Sequence, residues 1–179
     1  MLTSEQLQRL ERECDTELTV PPDTAEALEE AADRLHRFSG LAERQRDAAP
    51  SKSSVCRAGG LDRIVDAIDI RLIEDCLPSE LLGLFSPYLS AIIIGRALGP
   101  PVRTPTLAHQ TSHAFRPRAP SDETRYLMLA ILIPRVIVQR LGGHKITELA
   151  LIQACPWHVP YWVAATRAAM LRRMLAEEQ

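Results

Sequence analysis

The sequence predicts an α+β domain, mostly helical, with one small β-sheet. Apolar residues recur at helical spacing through most of the chain. Two short stretches, 70–75 and 89–94, instead show the alternation or the β-branched density of strands. Proline and glycine clusters mark the borders between these segments. With 179 residues, the chain holds one compact domain, or a domain with a helical appendage. Three parts are expected: a helical N-terminal extension (1–50), a core (51–134) and a helical C-terminal subdomain (135–179).

The elements follow in order. Residues 3–18 read as a short amphipathic helix with Leu7, Leu10 and Cys14 on one stripe, closed by Pro21-Pro22. A second helix is expected over 23–46, with Ala25, Leu28, Ala32, Leu35 and Phe38 at helical spacing and charges covering its remaining surface. Residues 48–54 (AAPSKSS) read as a linker. A helical turn at 61–67 and a half-buried strand at 70–75 come next. Residues 79–87 read as a connection turning at Gly83, and 89–94 (LSAIII) as a buried strand. Gly99-Pro100-Pro101 marks a break.

In the segment TPTLAHQTSHAF (104–115), Thr104 suits an N-cap and Pro105 the first helical position, where a missing N–H costs nothing. Another helix should start at Ser121-Asp122-Glu123 with a capping side chain and continue to Ile133, apolar nearly all round and therefore central. Pro134 restarts the chain, 135–141 is helical, and Gly142-Gly143 ends it. Helices at 146–154 and 158–176 complete the chain.

Composition excludes several classes. A net charge of −2 and a pI near 6.2 supply no global attraction to nucleic acid or anionic membrane. The four cysteines (Cys14, Cys56, Cys76, Cys155) form no C-x-x-C pair, so they read as reduced, mostly buried thiols rather than a zinc ribbon or disulfide framework. The first residues lack a signal-peptide core, and the longest apolar run, 126–133, is too short to span a bilayer. A cytoplasmic location is expected.

His109 and His113 are four residues apart on the 104–115 helix, so both side chains project from one face. Two imidazole nitrogens so placed suit a tetrahedral Zn²⁺. Ser112 should share that face, with Ala108, Thr111 and Phe115 turned towards packing. Chance alone would supply about 0.14 such pairs among five histidines, so the weight of the pair comes from its surroundings. Those are a clean helix start, a preceding strand and the acid Glu123 at the head of the next helix. Glu123 could complete two nitrogens and one oxygen with a fourth position open, or it could simply be an acid favoured by the helix dipole.

The stretches LPSELLGLFSPYLSAIIIGRAL, TPTLAHQTSHAF and DETRYLMLAILIP together resemble the ImmA/IrrE type of bacterial metallopeptidase. That family runs from a strand into an L-A-H-E-L-G-H helix and then into an acid-led E-A-x-x-F-A-x-x-L-L-M-P helix. Leu107-Ala108-His109, His113-Ala114, Glu123 and Ile131-Leu132-Ile133-Pro134 carry the likeness, which covers about 61–174 and is strongest at 107–134. The resemblance implies a zincin-like fold with His109, His113 and Glu123 as zinc ligands. It also implies proteolysis of a partner regulator, commonly a helix-turn-helix repressor, in mobile-element or stress control. The sequence departs from the pattern at Gln110, Thr111-Ser112 and Thr124-Arg125, and its spacer of nine residues between His113 and Glu123 is short.

Gln110 is the telling departure. In H-E-x-x-H the glutamate takes a proton from the attacking water, and an amide can hydrogen-bond that water but cannot accept its proton. General-base assistance is worth about 10²–10⁴-fold, so the chain as written should bind zinc and substrate yet cleave extremely slowly. A Glu→Gln substitution made to trap a peptidase and a natural pseudo-peptidase kept for binding both account for it. Tyr126, Arg125, His144 and His158 are further candidates to polarise a carbonyl, and Ile92–Ile94 to pair with an extended substrate. Two other classes compete: a helix-turn-helix-like DNA-binding module at 144–175, and a helical interaction protein in which the histidines are ordinary.

Overall fold

The computed structural model describes residues 18–41, 60–142 and 146–177. Residues 3–17 of the expected helix at 3–18, the linker at 48–54, His144, Cys14 and Cys56 lie outside these residues, and Leu18 is buried but not helical. The architecture among the described residues is α+β, with seven helices and a three-stranded mixed sheet.

Helix α1 (Pro22–Phe38) opens on a proline whose missing N–H falls on a position with no intrahelical partner. It is shorter than the 23–46 expected. Ser39 N–H returns to the Leu35 carbonyl, and Gly40, at φ +67°, donates to Arg37, a turn that only glycine enters without strain. Helix α2 (Asp62–Ala67) leads into β1 (Arg71–Asp75), as the periodicity indicated.

Residues 79–87 are not merely a connection. They contain a strand, β2 (Gly83–Ser86), antiparallel to β3 (Ala91–Gly95), while β1 runs parallel to β3 on its other side. Gly83 read as a turn from sequence because its own packing could not be seen. A Cβ there would stand 2.9 Å from Thr106 Cγ2 and 3.0 Å from the Ile93 carbonyl oxygen, so glycine is what lets the next helix close onto the sheet. The central position of β3 also removes Ile92–Ile94 as a docking edge, since hydrogen bonds to β1 and β2 occupy both its sides.

Helix α3 (Pro100–Phe115) begins earlier than predicted, with Gly99 at its cap and Pro100 and Pro101 in the first turn. Both prolines withhold N–H groups that would have had no partner, so the expected break is a helix start. Thr104 is therefore no cap, and Pro105 lies inside the helix. Helix α4 (Ser121–Leu132) matches the expected segment, although Pro120 stands at its cap and no side chain caps it.

Helix α5 (Arg135–Leu141) ends at Gly142, φ +69°. Helix α6 (Glu148–Ala154) is capped by Thr147 Oγ1, which accepts from Ala150 N–H, and α7 (Tyr161–Glu177) closes the chain. Helix α3 packs on β2 and β3 with one side and on α4 with another, and α4 also lies against α1 and α7. Leu28, Ile64, Ile92, Leu107, Leu127 and Val163 all belong to one buried cluster. No helix among the described residues is long and apolar enough to cross a membrane.

Candidate metal centre

The inward side of α3 is set by Leu107, Ala108, Thr111 and Ser112, all buried. Thr111 and Ser112 satisfy their hydroxyls within the helix, donating to the Leu107 and Ala108 carbonyls at 2.8 and 2.9 Å. Ser112 is thus turned into the core rather than sharing the histidine face, whereas Phe115, expected to pack, is 38% exposed. His109, Gln110 and His113 form the half-buried side.

His109 and His113 converge. Their Nε2 atoms stand 3.1 Å apart, and the rings meet nearly at right angles with centroids 4.7 Å apart. Two nitrogens bound tetrahedrally at 2.0–2.1 Å would sit about 3.3–3.4 Å apart, so the separation lies within a few tenths of an ångström of a shared zinc ion. As the rings stand, the same gap suits an N–H···N hydrogen bond, which requires one ring to be neutral. Burial lowers the pKa of His113, favouring the neutral imidazole that a metal needs.

Glu123 lies in the first turn of α4, half-buried. Its Oε2 is approached at 3.1 Å by Nη1 of Arg116, the residue just past α3. The approach is an ion pair without hydrogen-bond geometry, and Oε2 is left buried with no hydrogen-bond partner. The neighbouring Thr124 Oγ1 is likewise buried and unpartnered. The two convergent imidazoles are donors whose chemistry suits a divalent ion, while the Glu123 oxygen faces Arg116. The histidines are brought together, but Glu123 is not: among the described residues no three His, Cys, Asp or Glu side chains are grouped to hold a metal.

The other candidates fare differently. The Tyr126 hydroxyl is buried and donates to Glu29 Oε1 at 2.9 Å, so it is held in the core and not free to polarise a substrate. His158 is half-buried in the segment before α7 rather than at a helix start. Arg125 is half-buried on α4. Cys155 is buried and Cys76 exposed, both as free thiols.

A polar cluster in the core had no counterpart in the sequence reading. Glu29 of α1, assigned there to a solvated surface, is buried and receives both guanidinium nitrogens of the buried Arg167 of α7, at 2.5 and 2.8 Å. Burial raises the Glu29 carboxyl, but the charge and hydrogen bonds of Arg167, with the Tyr126 hydroxyl, outweigh it and hold the pKa below the usual range. Burial pushes Tyr126 itself up to about 12. Nearby, His36 Nε2–H donates to the Ile131 carbonyl at 2.8 Å and the ring stacks on Trp157. Its Nδ1 is buried without a partner, and burial drives the pKa down to about 4. Residues 29 and 36 fall four past Ala25 and Ala32 on the buried stripe of α1, a signal the sequence did contain.

Comparison with protein-family models, curated proteins and solved structures finds no match to this chain.

Proposed function

We propose that the chain is a zinc-metallopeptidase scaffold of the ImmA/IrrE type with a zincin-like core, acting in the cytoplasm on a partner regulatory protein, in the first place a transcriptional repressor. The observation that carries this reading is the 3.1 Å approach of the His109 and His113 Nε2 atoms on one helical face. Glu123, in the first turn of the adjoining helix with an oxygen that makes no hydrogen bond, is the residue the resemblance offers as the third ligand. A bound zinc ion would supply Lewis acidity towards a peptide carbonyl and the attacking water.

This chain's own residues would do the rest. His109 and His113 would offer neutral nitrogens, and Glu123 a charge-balancing oxygen once it leaves Arg116. Gln110, half-buried beside His109, can orient water through its amide but cannot carry a proton to the leaving amine. The same neutral amide favours one second reading, a pseudo-peptidase that binds its partner without cutting it.

Metal analysis of the purified chain tests the scaffold: near-stoichiometric zinc is expected, lost on His109→Ala or His113→Ala. Absence of zinc, or zinc indifferent to both substitutions, would remove the reading. Gln110→Glu should raise cleavage of the partner at least about 10²-fold. No gain in a zinc-loaded Gln110→Glu protein would leave the pseudo-peptidase.

A further inference from the structure

We infer that the face of the sheet turned away from the helices docks a second copy of this chain, the two sheets packing face to face about a two-fold axis. The register sorts the strand side chains between two faces, because aligned residues point the same way and successive residues point opposite ways. One face looks into the fold. Ile92 and Ile94 are buried there, Glu74 Oε1 accepts from Arg103 of α3 at 3.0 Å, and a Cβ on Gly83 would meet Thr106 of α3. The opposite face carries Arg71, Ile73 and Asp75 of β1, Ile93 of β3, and Leu84 and Ser86 of β2. Ile73, Ile93 and Leu84 form one register row across all three strands, each half-buried. Leu72 and Phe85 of the inner face pack against the buried cluster, whereas these three are not among its neighbours.

A sheet face left to water normally turns polar side chains outward, whereas strands covered on both faces read as continuous apolar runs. The central strand, AIIIG, is of the second kind. Leu81, Tyr88 and Leu89, all exposed at the two ends of β2, widen the apolar area towards what a stable interface needs. The charges name the occupant. Arg71 and Asp75 are exposed at opposite ends of β1, on the same face as Ile73 between them. Each is steadied by backbone: Arg71 Nη2 donates to the Leu89 carbonyl at 2.8 Å, and Asp75 Oδ1 accepts from Cys76 N–H at 2.7 Å. A two-fold axis running across the strands, with the sheets about 10 Å apart, sets Ile73 over its own copy. It also sets Arg71 of each chain over Asp75 of the other. The face is thus complementary to itself, while a partner of one charge sign would meet a like charge at one end of β1.

Sedimentation equilibrium of the full chain tests this, with circular dichroism to show that each variant folds. A dimer is expected. Ile73→Lys should weaken it at least about 100-fold, because two facing ammonium groups would be buried at the axis. Arg71→Glu and Asp75→Arg each oppose like charges and should each weaken it about tenfold. The double variant Arg71→Glu with Asp75→Arg should return to the original affinity, since the pairing is restored with its signs exchanged. If Ile73→Lys does not fold, the charge reversals decide. A dimer that ignores the reversals, or is not rescued by the double variant, overturns the inference. A chain that stays monomeric at every concentration overturns it too, and leaves the face to a segment of this chain or to another protein.

Discussion

Two of the glutamate–arginine pairs among the described residues, Glu29–Arg167 and Glu123–Arg116, are built in opposite ways. Glu29 and Arg167 are 2% and 0% exposed, joined by two hydrogen bonds and a third from Tyr126, and they tie α1 to α7 across α4. Glu123 and Arg116 are 20% and 40% exposed and meet through one ion-pair approach that satisfies neither geometry nor lone pairs. A buried charge must be fully partnered or it is strongly destabilising, so the first pair is complete. The second pair is only partly covered, yet its Glu123 Oε2 is buried with no hydrogen bond, so it is left incomplete. One region is spent on holding the fold together.

The largest expected effect tests the completeness of the buried pair. Arg167→Met removes every charged partner of Glu29 within the core and should destabilise folding by about 3–5 kcal/mol in urea titrations. Adding Glu29→Met should recover most of that loss, since the uncompensated charge goes with it. A single substitution costing no more than a surface pair would break the contrast between the two regions.

The histidines sharpen the contrast through pH. His36 has a folded-state pKa of about 4 against an ordinary 6.5, because its Nδ1 is buried with nothing to receive a proton. The neutral form is thus favoured in the folded state, so its stabilisation is present above pH 6.5 and is lost as pH falls towards 4. At about 1.4 kcal/mol per unit, roughly 3 kcal/mol should disappear over that window. The pKa of Glu29 lies below 4.5, so the decline between pH 6.5 and 4.5 belongs to histidine rather than to this carboxylate. His36→Gln, whose amide can still donate to the Ile131 carbonyl, should flatten most of the slope in thermal melts; the lowered pKa of His113 leaves a smaller slope of the same sign.

The site region has one tightly packed point, where α3 closes on β2. Gly83→Ala would bring a methyl group against the Ile93 carbonyl, which as backbone cannot move aside, and against Thr106 Cγ2. A loss of about 1–3 kcal/mol is expected, the range for overpacking, measured by chemical denaturation. A neutral result would mean that the helix carrying the histidines rests on the sheet more loosely than the distances indicate.

What could be read in the sequence divides along the same lines as the two regions. The segments that became α4 and α5 were legible because Ile131 to Pro134 combine apolar density with a proline boundary, both local signals. His109 and His113 were legible because helical spacing alone puts them side by side. The start of α3 was misread because two adjacent prolines suit a helix's first turn as well as a break, and only the chain before them decides. β2 was missed because four residues led by glycine carry no alternation, and their pairing with β3 is a tertiary fact. Glu29 and Arg167 are 138 residues apart, and no local pattern announces that they will meet. Arg116 was passed over for a related reason: its significance depends on how the turn after α3 brings it to Glu123.

The smallest stability effect is the most discriminating. Glu123→Gln removes the charge from a half-exposed pair that makes no hydrogen bond, so folding stability should change by less than about 1 kcal/mol in the metal-free protein. Zinc affinity should nevertheless fall at least about tenfold, because the amide cannot neutralise a cation as a carboxylate does. The two measurements pull apart only if Glu123 is held in place for a ligand rather than for the fold. A substitution that costs several kcal/mol of stability and leaves zinc binding untouched would instead make Glu123–Arg116 a second structural pair, and the difference between the two regions would be one of solvent exposure alone.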